Sequence, residues 1–460
     1  MQAWDWWPLP MAQPDICRDS LFYVGELSSL SSSGTQAPSL FWHNSDGNIS
    51  AMPHSGNISL GIIKPATRPN RWFDYDFGVV LAGRIDGTQQ NIAQPQINGT
   101  GYFRELYAHV RLYIVDITAG IHPIYFGASD PKLSSGSLLF SNNAHPIPRI
   151  SIGFERWTPF PGLFGYLEIK GGLTHGWLSD KSEVVSGTLL HHKFIGGRIG
   201  GKLPVNISYE FHHTAQWGGY STDLGDLGNN FDAFVKTFMV RSGGNTYVEQ
   251  INAQGNHIAF QQLALDVKGA GWKVSAYWQV INEDGPIRFI GCGMNNTDGL
   301  WGISAIQDKW PFIQGITYEF LNTTDQSGPY HDKDGCVYGG NDEYYRNGIY
   351  QQGWTYFDRI IGSPLLTTDN NRVMAHHVGI RGDIYGYQYR AIVTYADNYG
   401  RYIEPKRSNN TAVLLEIKKQ VPQAWGLEFG ICLGGDFGTQ YGNTFGAMIT
   451  IQKKGLITQW

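Results

Sequence analysis

The sequence predicts an all-β chain, a transmembrane antiparallel β-barrel with short periplasmic turns and long extracellular loops. Short stretches alternate apolar with polar residues, the composition is aromatic-rich but poor in charge, and the joints between stretches alternate between tight and long. A period of two gives a strand one apolar and one polar face. In 272–281, Val274, Ala276, Trp278 and Val280 share a face. Just before, Leu263, Leu265 and Val267 alternate with Ala264, Asp266 and Lys268, and only Gly269-Ala270-Gly271 separates the two stretches.

Composition indicates which solvent the apolar face meets. The 460 residues are 14% aromatic and 16% charged, with 58 Gly, 15 Trp and 25 Tyr, whereas a soluble domain carries about a quarter charged residues. An uninterrupted apolar run near ~18 residues is missing, which excludes membrane helices and leaves a membrane barrel open. The net charge of −5 gives no reason to invoke nucleic acid or an anionic membrane surface. A secreted multi-sheet β protein is the competing class.

The first 70 residues stand apart. Trp4, Trp6 and Trp7 beside Pro8, Pro10 and Pro14 lack the basic start and apolar run of a signal peptide, so the chain reads as a processed form. Leu21-Phe22-Tyr23-Val24 is a candidate strand start, Ser28 to Thr35 is rich in Ser and Gly, and Phe41 to Ile49 reads as a loop carrying aromatics. Residues 1–70 are therefore read as a lumen plug or periplasmic cap with room for one hairpin; a flexible leader fits equally.

Residues 71–460 supply the barrel. Strands are expected near 72–85, 102–115, 119–126, 150–156, 163–177, 191–200, 204–213 and 257–268. They continue near 272–281, 299–308, 313–321, 373–382, 385–396, 411–418, 425–433 and 445–453, sixteen in all. Tight joints alternate with long polar ones, the longest being 214–256 and 322–372. Sandwiches do not demand that alternation, but a chain rising and falling between turns and loops does. Tyr385, Tyr387, Tyr389, Val393 and Tyr395 alternate with Gln388, Arg390 and Thr394, which suits an apolar belt with an interfacial tyrosine girdle.

The run Tyr344-Tyr345-Arg346-Asn347-Gly348-Ile349-Tyr350-Gln351-Gln352-Gly353-Trp354, continuing through Asp358-Arg359 to Ile361-Gly362-Ser363-Pro364-Leu365, resembles the Wzi family of outer-membrane capsule-assembly proteins, most of all its Bacteroidota branch. Phe73-Asp74-Tyr75-Asp76-Phe77-Gly78, Leu81-Ala82-Gly83, the Gly120 to Gly127 segment and His175-Gly176-Trp177 follow in the order of similar family segments. The resemblance covers roughly residues 20–455. It implies about 18 strands in the outer membrane of a Gram-negative bacterium, and a barrel that binds capsular polysaccharide and helps anchor or assemble it. Enterobacterial members carry an N-terminal helical bundle; no helical period appears in this chain's first 70 residues.

Sugars are bound by aromatic faces flanked by hydrogen-bonding side chains, and the 322–372 excursion offers both. Tyr330, Tyr338, Tyr344, Tyr345, Arg346 and Trp354 are the candidate glycan-binding residues. The competing reading is that these rings pack the excursion into the barrel mouth. Asp332, Asp334, Asp342 and Glu343 offer oxygens to Ca²⁺, but the spacing lacks the later ligands of an EF-hand loop, so a solvated acidic turn is the default and no cofactor is expected. Cys292 and Cys336 fall in predicted loops where pairing is open to them. His191-His192 and His212-His213 are adjacent on strands and point to opposite faces, so neither pair chelates one ion readily. No catalytic constellation is found, and the chain is not expected to be an enzyme. The expected partners are surface polysaccharide and outer-membrane lipid, with outer-membrane proteins as further candidates. The alternatives are a structural subunit of a larger outer-membrane assembly, or a diffusion porin.

Overall fold

The computed structural model describes residues 19–66, 72–87, 97–178, 184–246, 249–250, 253–283, 297–330, 332–333, 336–337 and 340–460. Eighteen strands hydrogen-bond into one antiparallel cycle. They are β1 (Ser20–Ser32), β2 (His54–Lys64), β3 (Phe73–Gly87), β4 (Ile97–Leu112), β5 (Val115–Ile121), β6 (Pro148–Pro159), β7 (Leu167–Trp177), β8 (Leu189–Ile199) and β9 (Val205–Trp217). The second half holds β10 (Asn256–Gly269), β11 (Trp272–Asn282), β12 (Gly299–Gln307), β13 (Gly315–Asn322), β14 (Val373–Ile384), β15 (Tyr387–Gly400), β16 (Pro405–Val421), β17 (Leu427–Gly438) and β18 (Thr444–Gln459). β1 pairs with β2 on one side and with β18 on the other, from Ser20 opposite Gln459 to Ser32 opposite Gly446. Closure leaves no edge strand to recruit another chain. An even strand number returns the chain to its starting side, where the Trp460 N–H donates to the Asp19 carbonyl at 2.9 Å.

All sixteen strands expected from residue 72 onward form as β3–β18. The wall begins at Ser20, however, and not near residue 71. Serines occupy both faces of β1, which hides its alternation, while residues 33–53 between β1 and β2 enter the lumen as a plug segment.

The outer face is apolar around the wall. Ile58 and Leu60 of β2, Ile195 and Ile199 of β8, Leu263 and Leu265 of β10, and Ile431 and Ile449 of β17 and β18 are exposed. At the turn end, Trp72, Tyr113, Phe164, Trp310, Tyr385 and Trp425 form an exposed aromatic belt, the girdle expected at a membrane–water boundary. The turns there are tight: Tyr385-Gly386 joins β14 to β15 with φ of 53° and 76°, the double left-handed geometry that matches strand twist.

The loop end of the lumen is filled, and its filling is apolar. Leu138, Leu139, Phe140, Tyr344, Tyr345, Trp354, Ile360 and Ile361 come from the loops 122–147 and 323–372. They pack on Leu190, Phe260, Ile281, Leu300, Leu321 and Val373 of the inward wall. A second cluster seats Phe41 of a short helix, α1 (Ser39–Trp42), against Ile392, Leu414 and Met448. Asp436 holds that helix, accepting from the Ser39 N–H at 2.6 Å and the Ser39 hydroxyl at 2.7 Å. Each fully buried large side chain is worth ~1.5–3 kcal/mol, so the loops are held as a small core inside the barrel.

Towards the turn end the lumen becomes polar and holds a cavity of about 200 Å³. Among its lining charges, Arg104 pairs with Glu26 at 2.9 Å, and Arg390 and Lys418 pair with Glu416 at 3.0 Å each.

Candidate functional site

The predicted glycan-binding residues separate into two groups. Tyr344, Tyr345 and Trp354 are 1%, 0% and 0% exposed, because their loop dives into the barrel and does not project from it. Their polar tips are committed as well. The Tyr344 hydroxyl donates to Asp298 at 3.3 Å, the Tyr345 hydroxyl donates to the Leu138 carbonyl, and the Trp354 indole N–H donates to the Leu139 carbonyl at 2.9 Å. These rings anchor the plug and offer no face to a sugar, which corrects the expectation of a Tyr344–Tyr345 platform. Tyr330 is exposed, and Arg346 is partly exposed with its guanidinium 3.8 Å from Glu343. Tyr338 lies outside the described residues.

The acidic candidates are likewise dispersed. Asp342 is buried and accepts from the Ser327 hydroxyl at 2.8 Å, and Glu343 is paired with Arg401 at 2.6 Å. Asp332 belongs to a two-residue strand, and Asp334 and Cys292 lie outside the described residues. Among the described residues, no group of three or more His, Cys, Asp or Glu side chains is placed to hold a metal ion. His192 and His212 face the lumen in a stack 5.3 Å apart, whereas His191 and His213 face outward.

A different cluster lies at the loop-end mouth, above β3 and β4. The His145 ring meets Tyr102 edge-on at 4.8 Å and Phe357 at 5.5 Å. Phe357 is 46% exposed, and Asn98 and Thr100, on the same inward face of β4 as Tyr102, are open to solvent. The Tyr102 hydroxyl donates to Asn48 Oδ1 at 3.3 Å. Two guanidiniums border these rings. Arg84 pairs with Asp86 at 2.9 Å and donates to the Gly47 carbonyl at 3.1 Å. Arg359 donates to the Trp42 carbonyl at 2.7 Å and to the Ile49 carbonyl, with its guanidinium 5.3 Å from the Trp42 ring. The close approach depends on Gly47: at φ 68° a Cβ there would meet the His145 ring at 2.8 Å.

The electrostatics of this cleft favour an anion or a polar ligand. Burial, with Arg84 adding repulsion, lowers Arg359 to about 10. Burial and the two cations hold His145 down to about 4, so it is neutral at physiological pH. The result is a set of aromatic edges and faces rimmed by an amide and two guanidiniums, the mixture that suits a pyranose with its C–H patches and equatorial oxygens. Trp42 and Arg359 lie in segments that sequence reading marked as aromatic or family-like. Tyr102 and His145 carried no local signal, since only the fold brings them to Phe357.

The family model for capsule assembly protein Wzi matches residues 73–376. No curated protein matches the chain. Among solved structures, Escherichia coli Wzi, described as a carbohydrate-binding outer-membrane β-barrel involved in group 1 capsule assembly, is 13% identical, with 93% of this chain and 84% of that one covered and a TM-score of 0.57. Pseudomonas aeruginosa OccK7 is 9% identical over 96% of this chain and 100% of its own, with a TM-score of 0.48. A BenF-like porin from Pseudomonas fluorescens is 11% identical over 95% and 99%, also at 0.48. With the family model spanning more than half of its length, the chain belongs to the Wzi family of capsule assembly proteins.

Proposed function

We propose that this protein resides in the outer membrane of a Gram-negative cell, binds surface polysaccharide at its loop-end mouth, and anchors it there. The observation that carries the reading is the apolar filling of the loop end of the lumen by residues 122–147 and 323–372. A diffusion porin needs a wet passage, and a core of Tyr344, Tyr345, Trp354 and Leu139 opposes one. The mouth then becomes the working surface, and the cleft of Phe357, Tyr102, His145, Arg84 and Arg359 is its sugar-compatible part. Binding without turnover is the chemistry proposed. Polysaccharide is the principal partner and membrane lipid surrounds the wall.

The test is capsule retention by cells lacking the chromosomal copy and complemented in trans. Wild-type protein should hold the polysaccharide on the cells. The Phe357→Ala, Arg84→Ala double variant, present at equal level as a folded, heat-modifiable barrel, should release it into the medium. Equal retention by the double variant would remove the cleft, and equal retention by the deletion strain would remove the anchoring role.

A further inference from the structure

We infer that the loop 218–255 carries a lipid-immersed helix, which clamps the outside of the barrel and rests its free face in the membrane boundary. The loop straddles the rim. Leu227 packs on the plug side with Ile349 and Tyr350, whose hydroxyl donates to the Gly218 carbonyl at 3.1 Å. Beyond it, α2 (Phe231–Met239) descends on the outer wall. Its position follows from register: Leu190 faces the lumen core, so Leu189 and His191 on β8 face outward, and so does Trp217, which pairs with Leu189 from β9. Phe234 lies 5.8 Å from both the His191 and Trp217 rings, and Phe238 lies 5.2 Å from His191.

The wall beneath α2 is chemically wrong for lipid. His175, His191, Lys193, His213 and His257 point outward at the loop ends of four neighbouring strands. Lys193 Nζ donates to the Phe238 carbonyl and lies 4.1 Å from the Phe238 ring centroid, and His213 Nε2 is 2.9 Å from His257 Nδ1. Polar side chains on the lipid face of a barrel are destabilising, and the helix covers this patch.

The helix itself is apolar where it faces away from the wall. Ala233 and Thr237 are buried beneath it, while Phe231, at 78% exposed, and Met239 lie on the outer side together with the half-buried Val235. Asp232 and Lys236, paired at 2.6 Å, form a polar edge beside that stripe. An apolar stripe with a charged edge is the pattern of a helix lying in an interface. Further along the outward faces that carry Lys193 and His213, Ile195 and Ile207 of the wall are exposed, so the occupant that fits is the lipid already surrounding the barrel.

Nitroxide labels at Phe231→Cys, Met239→Cys and Asp232→Cys test this, in protein whose four native cysteines are replaced and which is reconstituted in bilayers. Oxygen should relax the labels at 231 and 239 several-fold more effectively than a nickel chelate does, with the reverse at 232. Nickel relaxing all three alike would place the helix in water. Protection of 231 and 239 from both reagents would assign the face to protein. Either result overturns the inference. If the labelled proteins fail to fold, Phe231→Trp in the native chain should gain fluorescence that lipids brominated near the head group quench more strongly than they quench wild type. Equal quenching would reject the inference. These readouts are independent of polysaccharide binding.

Discussion

Replacing Trp354 with Ala should open the plug while leaving the barrel standing. The indole is fully buried, meets Phe140 at a 5.6 Å ring separation, and donates to the Leu139 carbonyl at 2.9 Å. Truncating a buried Trp to Ala costs roughly 3–5 kcal/mol, and the stranded carbonyl adds about 1 kcal/mol. The penalty falls on the loops, because the wall ladders do not involve residue 354 and local opening is a separate event from global unfolding. At about 1.4 kcal/mol per tenfold change, ~4 kcal/mol raises the open fraction of the plug on the order of 10³-fold. Two assays read this: conductance across a planar bilayer, and protease cleavage within 323–372 from the loop side. Both should rise sharply in Trp354→Ala. Trp301→Ala is the control: that ring stacks on Trp278 at 4.3 Å on the outer wall and should change neither. Wild-type conductance and cleavage in a folded Trp354→Ala protein would refute the view that these loops form a core inside the barrel.

Three further outcomes follow from particular contacts. Lys64→Ala should lower the temperature at which the barrel loses its heat-modified mobility, since Lys64 is 0% exposed and pairs with Asp19 at 2.9 Å beside the β1–β18 seam; removing one partner of a buried pair costs roughly 3–5 kcal/mol, and an unchanged transition would dismiss the clasp. Burial pushes the Asp298 carboxyl from its ordinary 3.8 up to about 7, against hydrogen bonds donated by the backbone of Gln326 and Asp325. The folded state therefore holds that proton more tightly, and the stability it adds is complete below about 4 and lost as pH rises through about 7. Amides of 323–328 should accordingly be better protected at pH 5 than at pH 8, with Asp298→Asn removing the difference in hydrogen exchange. Tyr345→Ala should increase protease cleavage of the plug, and any loss of polysaccharide binding should track that cleavage across temperature; loss of binding with an intact plug would restore Tyr345 as a contact.

The strands from β3 onward were legible because one face of each meets lipid, which writes an alternation such as Leu263, Leu265, Val267 into the sequence. β1 was legible only at its start, Leu21 to Val24, because further on Ser28, Ser29, Ser31 and Ser32 occupy both faces and Leu30 points inward against the plug, where it is 2% exposed. The excursion 322–372 was visible as a long aromatic loop, but the direction in which a loop folds is a tertiary property. Tyr344 and Trp354 look the same in sequence whether they project or dive. The inner wall carries large apolar residues as well: Leu300 and Leu321 are each 1% exposed there, because at that level the lumen is a protein core. In the mouth cleft, Phe357 and Arg359 sit in a marked segment, whereas Tyr102 and His145 reach them only through β4 and the 122–147 loop.

The most direct measurement is binding of capsular polysaccharide from the source strain to the purified barrel in detergent, competed by fragments of the same polymer. Saturable binding by wild type, weakened tenfold or more in the Phe357→Ala, Arg84→Ala variant with its plug intact, is the predicted result. Absence of saturable binding by the folded wild-type protein would contradict the account.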